Sequence, residues 1–226
     1  KGSAKDLPLS FIKALWPENL GKGARAWTNR SLFNGIISDL EFNSKFVFKK
    51  DGRLLFDPVL NLDFDFNDIE VHYLKNMPPM IDTLGKAHLD FQMFNINLLD
   101  GLIDLEEGSR IYINNGKFNA FDIKKRHGPG QIIIDSSSNV GDVFNLLSKH
   151  NYISKLIKLD RNNLSGDSNL MLQFDFPLKN SIKFSETKTN INLNVEEITI
   201  YNKEKNPSII SDSSTLILDY NIDEAS

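Results

Sequence analysis

The feature of this sequence that most constrains its fold is an alternation of apolar and polar residues. In the clearest example, Leu60, Leu62, Phe64 and Phe66 are each separated by one Asn or Asp. A period of two places apolar side chains on one face of a β-strand, whereas a helix needs a period near 3.6. The segment is therefore predicted to be a strand with one face turned away from water.

The same alternation recurs along most of the chain. Further examples begin at Leu40, Phe46, Ile69, Leu89, Ile111, Leu170, Ile191 and Leu216. The example at Leu89 continues through Phe91 and Met93, with a bulge suggested at Met93-Phe94. So many strands of this kind, with turn signals between them, predict a long antiparallel meander.

Turns and interruptions are predicted from glycine and proline. Lys50-Asp51-Gly52 and Asn114-Asn115-Gly116 suit tight hairpins, because Asp-Gly and Asn-Gly supply the positive φ angles that such turns need. Met77-Pro78-Pro79-Met80 cannot continue a central strand, since proline has no N–H to donate to the ladder.

Residues 1–34 are predicted to form an N-terminal helix pair. Asp6 is a candidate cap for a first helix, which Pro17 ends. A second helix contains Trp27 and stops near Asn34-Gly35. The helices are followed, over residues 35–226, by one continuous β body.

A third helix is predicted within that body, near residues 140–149. Asn139 is its candidate cap, and Val143, Phe144, Leu146 and Leu147 form its apolar side.

Composition excludes several classes of function. The chain has 26 Lys and Arg against 30 Asp and Glu, so its net charge of −4 argues against a nucleic-acid surface. Without cysteine there is no disulfide, zinc–thiolate site or thiol nucleophile. No apolar run approaches the ~18 residues that cross a bilayer. The chain opens on Lys1, which suggests an excised segment whose targeting signals lie outside it.

Sequence motifs for metal binding and catalysis are not convincing. The run from Asp63 to Asn67 imitates the start of a calcium loop, but the required Gly and Glu are replaced by Asp68 and Leu74. The four histidines are scattered, and no nucleophile elbow or acid/base pair is recognisable. We therefore expect no cofactor and no enzymatic activity.

Two features have alternative interpretations. The basic run Lys124-Lys125-Arg126-His127 suits a lipid headgroup or an anionic membrane surface, although a solvated turn is the more common case. The apolar stripe, in a chain with 16 Phe against 5 Tyr and 2 Trp, suits either packing on a second sheet or an open apolar groove. The pattern alone favours packing.

An ordered set of motifs resembles a known family. The motifs are Leu15-Trp16-Pro17, Gly23-Ala24-Arg25-Ala26-Trp27, Gly35-Ile36-Ile37, Phe66-Asn67-Asp68-Ile69-Glu70-Val71, Met77-Pro78-Pro79, Gly85 to Leu89, Gly130, Val143 with Leu146 and Leu147, Gly166 and Phe176-Pro177-Leu178. Their order, from about residue 7 to the end, is similar to the central region of the YhdP-type members of the AsmA-like superfamily of Gram-negative envelope proteins. The segment after Pro177 matches that family only in its strand pattern.

The resemblance implies an elongated, curved antiparallel sheet, an open half-pipe whose apolar concave face accommodates phospholipid acyl chains. Such proteins act in the periplasm, between the inner and outer membranes, and are anchored in the inner membrane by a helix outside this segment. Outer-membrane or other envelope proteins are further expected partners, and nucleic acid is not. The expected groove-lining residues are Leu40, Phe42, Leu60, Leu62, Phe64, Phe66, Leu89, Phe91, Leu172, Phe174, Leu193 and Val195.

Two other functions remain open at this point. One is a scaffold that assists outer-membrane protein assembly through exposed strand edges. The other is a structural β-sandwich without a ligand.

Overall fold

The computed structural model describes residues 1–16, 22–45, 50–51, 59–73, 77–105, 108–149, 163–179, 182–183, 186–201 and 207–220. In chain order the elements are β1 Gly2–Pro8, α1 Leu9–Leu15, α2 Lys22–Ser31, β2 Leu32–Phe33, β3 Ile36–Lys45, β4 Val59–Asn67, β5 Glu70–Val71, β6 Met80–Asp90, β7 Met93–Asp104, β8 Arg110–Phe121, β9 Pro129–Asn139, α3 Val140–Ser148, β10 Leu164–Pro177, β11 Lys188–Tyr201 and β12 Pro207–Tyr220.

The twelve described strands form one open, curved antiparallel sheet. Its main path runs β1-β3-β4-β6-β7-β8-β9-β10-β11-β12, so the edge strands are β1 and β12. The prediction of a mostly β chain built as an antiparallel meander is confirmed. The sandwich alternative requires two packed sheets, whereas these strands belong to one.

The short strands β2 and β5 extend the β3–β4 pair beyond a bend. Both connections bend at residues with positive φ. These are Asn34 and Gly35 between β2 and β3, and Asp68 between β4 and β5. A Cβ on Gly35 would lie 2.7 Å from the backbone nitrogen of Ile69, so glycine is required by space as well as by its φ of 75°. The Asn34-Gly35 signal thus marks a bend between strands, three residues after α2 ends.

The N-terminal segment differs from the predicted helix pair because it begins with a strand. Residues of β1 pair with β3, from Gly2 opposite Phe42 to Pro8 opposite Ile36. Asp6 does not cap α1: the cap position belongs to Pro8, which makes no side-chain capping bond. Backbone pairing along β3 outweighs the local capping signal. Pro17, which was expected to end the first helix, lies outside the described residues.

Two strand and turn predictions are wrong. Asn114-Asn115-Gly116 lies inside β8, where the register with β9 shifts between Ile113 and Asn115 as at a bulge. Phe91, expected within a strand, lies in the turn between β6 and β7. The Asp90 carboxylate fixes that turn, because its Oδ1 accepts from the backbone N–H groups of Gln92 at 2.6 Å and Met93 at 2.7 Å.

The predicted third helix is confirmed as α3. The side chain of Asn139 accepts from the backbone N–H of Gly141 at 3.0 Å, as expected of a helix cap. Val140 and Val143 are buried against Leu170 and Leu193 of β10 and β11, in a hydrophobic cluster of their own. The helix covers one end of the sheet.

Removing this cap is expected to destabilise the chain. Asn139→Ala leaves a helix N–H without its acceptor and should lower the free energy of unfolding by about 1 kcal/mol. Urea denaturation measures the change. Asn139→Asp keeps an accepting oxygen and should stay close to the unmodified chain, and equal losses in both variants would argue against a capping role.

Candidate ligand-binding groove

One face of the sheet is apolar across nine consecutive strands of the main path, from β1 to β11. Cross-strand pairing aligns its residues into two long rows. The first crosses nine strands and consists of Leu7, Ile37, Phe66, Gly85, Leu98, Gly116, Ile134, Leu172 and Ile191. The second crosses eight strands and consists of Ala4, Leu40, Phe64, Ala87, Ile96, Phe118, Ile132 and Phe174. We call the surface that these rows define the apolar face.

A third row runs beside them over eight strands and consists of Gly2, Phe42, Leu62, Leu89, Phe94, Ala120, Gly130 and Phe176. It belongs to the apolar face as well. The opposite face carries polar side chains that pair across strands: Lys86 Nζ lies 2.9 Å from Asp65 Oδ2, and His88 Nδ1 lies 2.7 Å from Asp63 Oδ1.

The helices α1 and α2 cover part of the apolar face, and a half-open cavity of about 390 Å³ lies between them and the sheet. This covered cavity is within the ~300–1,000 Å³ of small-molecule sites. Its helix-side walls are Leu9, Ile12, Leu15, Trp16, Trp27 and Thr28. Its sheet-side walls extend from Ile37 of β3 to Ile134 of β9. The cavity therefore crosses six neighbouring strands.

Specific contacts hold the helix pair over the sheet. The N–H of Leu9 donates to the carbonyl of Gly35 at 3.1 Å, which joins the start of α1 to the β2–β3 bend. Lys13 Nζ donates to the carbonyls of Asn29 and Leu32, and partial burial lowers the pKa of its ammonium group. Between α2 and β8, the indole of Trp27 stacks on Phe118 with ring centroids 6.2 Å apart.

Glycines on the apolar face make room for rings from the neighbouring strand. Gly85 lies opposite Phe66, and a Cβ at Gly85 would collide with that ring and lie 2.7 Å from the carbonyl oxygen of Asn97. Gly130 has the same relation to Phe176, and Gly2 to Phe42. Each ring lies over a strand that has no side chain there, which keeps the face apolar and shallow.

A pair of glycine substitutions tests this packing. Gly85→Ala should destabilise the chain by about 1–3 kcal/mol, because the added methyl group overpacks the Phe66 site. Gly23→Ala should instead stabilise it by roughly 0.5–1 kcal/mol, since Gly23 lies in α2 with no atom within 4 Å of a Cβ. Thermal or urea unfolding measures both variants, and a neutral Gly85→Ala would contradict the packing account.

Five of the twelve expected groove residues line the covered cavity, namely Leu40, Leu62, Phe64, Phe66 and Leu89. Phe42 is in the third row, but its ring lies over Gly2 and does not line the cavity.

Four other expected residues lie on β10 and β11, outside the covered cavity. Leu172 and Phe174 continue the two long rows onto β10, beyond the part covered by α1 and α2. Leu193 and Val195 are buried in the cluster beneath α3. Their side chains pack the second core and do not reach the cavity.

The last two expected residues are not on the described apolar face. Phe91 lies in the β6–β7 turn, with Lys124 Nζ 5.1 Å from its ring centre. The backbone of Leu60 belongs to β4, and its side chain lies outside the described residues.

Several cavity residues were not among the expected groove-lining residues. Trp27, Ile96, Phe118, Ile132 and Ile134 all line it. The strand signal of Phe118 is weak because its same-face neighbours are glycine and alanine. Ile132 to Ile134 form a continuous run of isoleucine, which hides which residues point inward. Trp27 enters the site from a helix, and only tertiary packing brings it there.

The cavity wall contains few polar groups. Of its described lining residues, Thr28, Tyr73, Lys117 and the two tryptophans carry polar side-chain atoms. The hydroxyl of Tyr73 is buried with no hydrogen-bond partner among the described residues, and burial raises the pKa of this phenol. This apolar cavity wall favours apolar ligand atoms, since a buried charge without a partner is costly.

The described residues contain no group of three or more histidine or acidic side chains placed to hold a metal ion. Within the same parts of the chain, no helix is both long and apolar enough to span a membrane.

Comparisons with family models, with curated proteins and with solved structures found no match to this chain.

Proposed function

We propose that this chain is a non-enzymatic module of an AsmA-like lipid-transfer bridge. In this proposal the apolar face carries phospholipid acyl chains through the periplasm, between the inner and outer membranes. The observation that carries the proposal is the set of apolar rows that cross eight or nine neighbouring strands, part of which α1 and α2 cover.

The energetics of such a surface suit an acyl chain. Each buried CH₂ group contributes about 0.8 kcal/mol, so a ligand with many of them is held without a single strong contact. Hydrophobic contacts are non-directional. An acyl chain moving from Phe64 toward Ile96 and Ile132 along the second row exchanges one apolar contact for another, so the barrier to sliding is low.

Native mass spectrometry of the purified chain tests the proposal. We expect bound phospholipid, and we expect an added fatty acid to compete for the same site. A chain that carries no lipid and binds no fatty acid would contradict the proposed function. Retention of a lipid that no groove substitution affects would contradict the assigned site.

A second candidate function is a scaffold for outer-membrane protein assembly. It is favoured by β12, a 14-residue edge strand that pairs only with β11 among the described strands. An unpaired edge of this length is a template for strand addition. Direct binding to purified assembly components, with no lipid bound, would favour this function over lipid transfer.

A further inference from the structure

Three loops meet at one end of the sheet. The backbone N–H of Ile123, in the β8–β9 loop, donates to the carbonyl of Gln92 in the β6–β7 turn at 3.1 Å. On the other side, the N–H of Leu178 after β10 donates to the carbonyl of Gly128 at 2.8 Å. We call residues 91–92, 121–128 and 178–179 the basic tip. It adjoins the third row of the apolar face, since Ala120, Gly130 and Phe176 of that row are close to it in the chain.

The charge of this tip is opposite to that of the whole chain. Residues 121–128 carry a net charge of +2 from three basic residues and one aspartate, in a chain of net charge −4. Asp122 is paired with Lys125 at 2.9 Å. Arg126 has no ion pair among the described residues, and Lys124 lies over the ring of Phe91. Cationic groups are thus available at the outermost part of the loop.

Apolar side chains lie among these cations. Phe121 and Ile123 are each 37% exposed, although they are large hydrophobic residues. A surface that mixes exposed aromatic and aliphatic groups with Lys and Arg matches a bilayer interface, where apolar groups enter the acyl boundary and cations meet headgroups.

We infer that the basic tip docks on the surface of a membrane that contains anionic phospholipid. Charge complementarity identifies the partner, because the negative surface potential of such a membrane attracts the tip while the rest of the acidic chain is repelled. The exposed Phe121 and Ile123 favour a lipid surface over an acidic protein, since a bilayer accommodates apolar and cationic groups together. The inference is independent of which ligand occupies the groove.

Vesicle binding tests it. We expect the chain to sediment with vesicles of phosphatidylcholine and phosphatidylglycerol, to bind phosphatidylcholine vesicles much more weakly, and to dissociate as salt is raised. Each basic side chain near an anionic surface changes the partition by about fivefold. The variant Lys124→Gln, Lys125→Gln and Arg126→Gln should therefore bind about 100-fold more weakly.

A second triple variant controls for net charge. Lys5→Gln, Lys86→Gln and Arg110→Gln remove the same charge from exposed positions away from the tip, and this protein should bind the mixed vesicles like the unmodified chain. Circular dichroism checks that both variants are folded. Equal losses in the two variants, or no preference for phosphatidylglycerol, would overturn the inference. Fatty-acid binding in the same variants reports on the groove separately.

Discussion

Replacing Phe64 by aspartate is expected to weaken the binding of an acyl ligand by about 100-fold, or ~2.7 kcal/mol. Phe64, on β4, belongs to the second row and lines the covered cavity. The substitution removes roughly 1 kcal/mol of apolar contact and places a carboxylate where the ligand would have to desolvate it. Displacement of a fluorescent fatty acid at neutral pH measures the loss.

A matched substitution on the other face is the control. Met171 precedes Leu172 of the apolar face on β10, points to the opposite side and is 53% exposed. Met171→Asp adds the same charge to the sheet and should leave fatty-acid binding unchanged. A similar loss in both variants would show that the effect is general and that the ligand does not contact Phe64.

Phe66→Ala is expected to be the most destabilising of the substitutions considered, with a loss of about 3–5 kcal/mol in the free energy of unfolding. Phe66 is only 5% exposed and packs over Gly85, within the main hydrophobic cluster. Its removal leaves a cavity that the glycine cannot fill. Since small domains are stable by ~5–15 kcal/mol, urea denaturation should show a large shift.

Phe42→Ala provides the comparison. Both rings belong to the apolar face and lie over a glycine of the adjacent strand, but Phe42 is 39% exposed. We expect its removal to lower stability by about 1 kcal/mol, in proportion to the smaller area that it buries. Equal losses of stability in the two variants would contradict the expectation that the buried area of each ring sets its contribution. The comparison also shows why Phe66 is unsuitable for a ligand-binding test, because its substitution changes stability and ligand contact together.

Alternation predicted the class of fold well. The polar and apolar residues of β4 alternate in the sequence and separate onto the two faces of the sheet, as expected for a period of two. The cap at Asn139 is another local signal that the structure confirms. Both depend on interactions between residues close in sequence, and such interactions are readable without knowing the fold.

Signals were misleading where a distant partner decides the conformation. Asn114 to Gly116 has the composition of a hairpin turn, yet β7 and β9 pair on either side and hold it within β8. Phe91 has the spacing of a strand residue, but the Asp90 side chain closes a turn there. In the first case cross-strand pairing overrides local propensity, and in the second one side-chain hydrogen-bond acceptor ends the strand.

The sequence by itself determined that the chain forms strands with one apolar face, because side chains alternate strictly along a β-strand. It also determined the position of α3. Only the tertiary structure decided which residues meet, because cross-strand register and the path of α1 and α2 depend on contacts between residues far apart in the chain. The meeting of Trp27 with Phe118 over the sheet, which helps to cover the cavity, is the product of that packing.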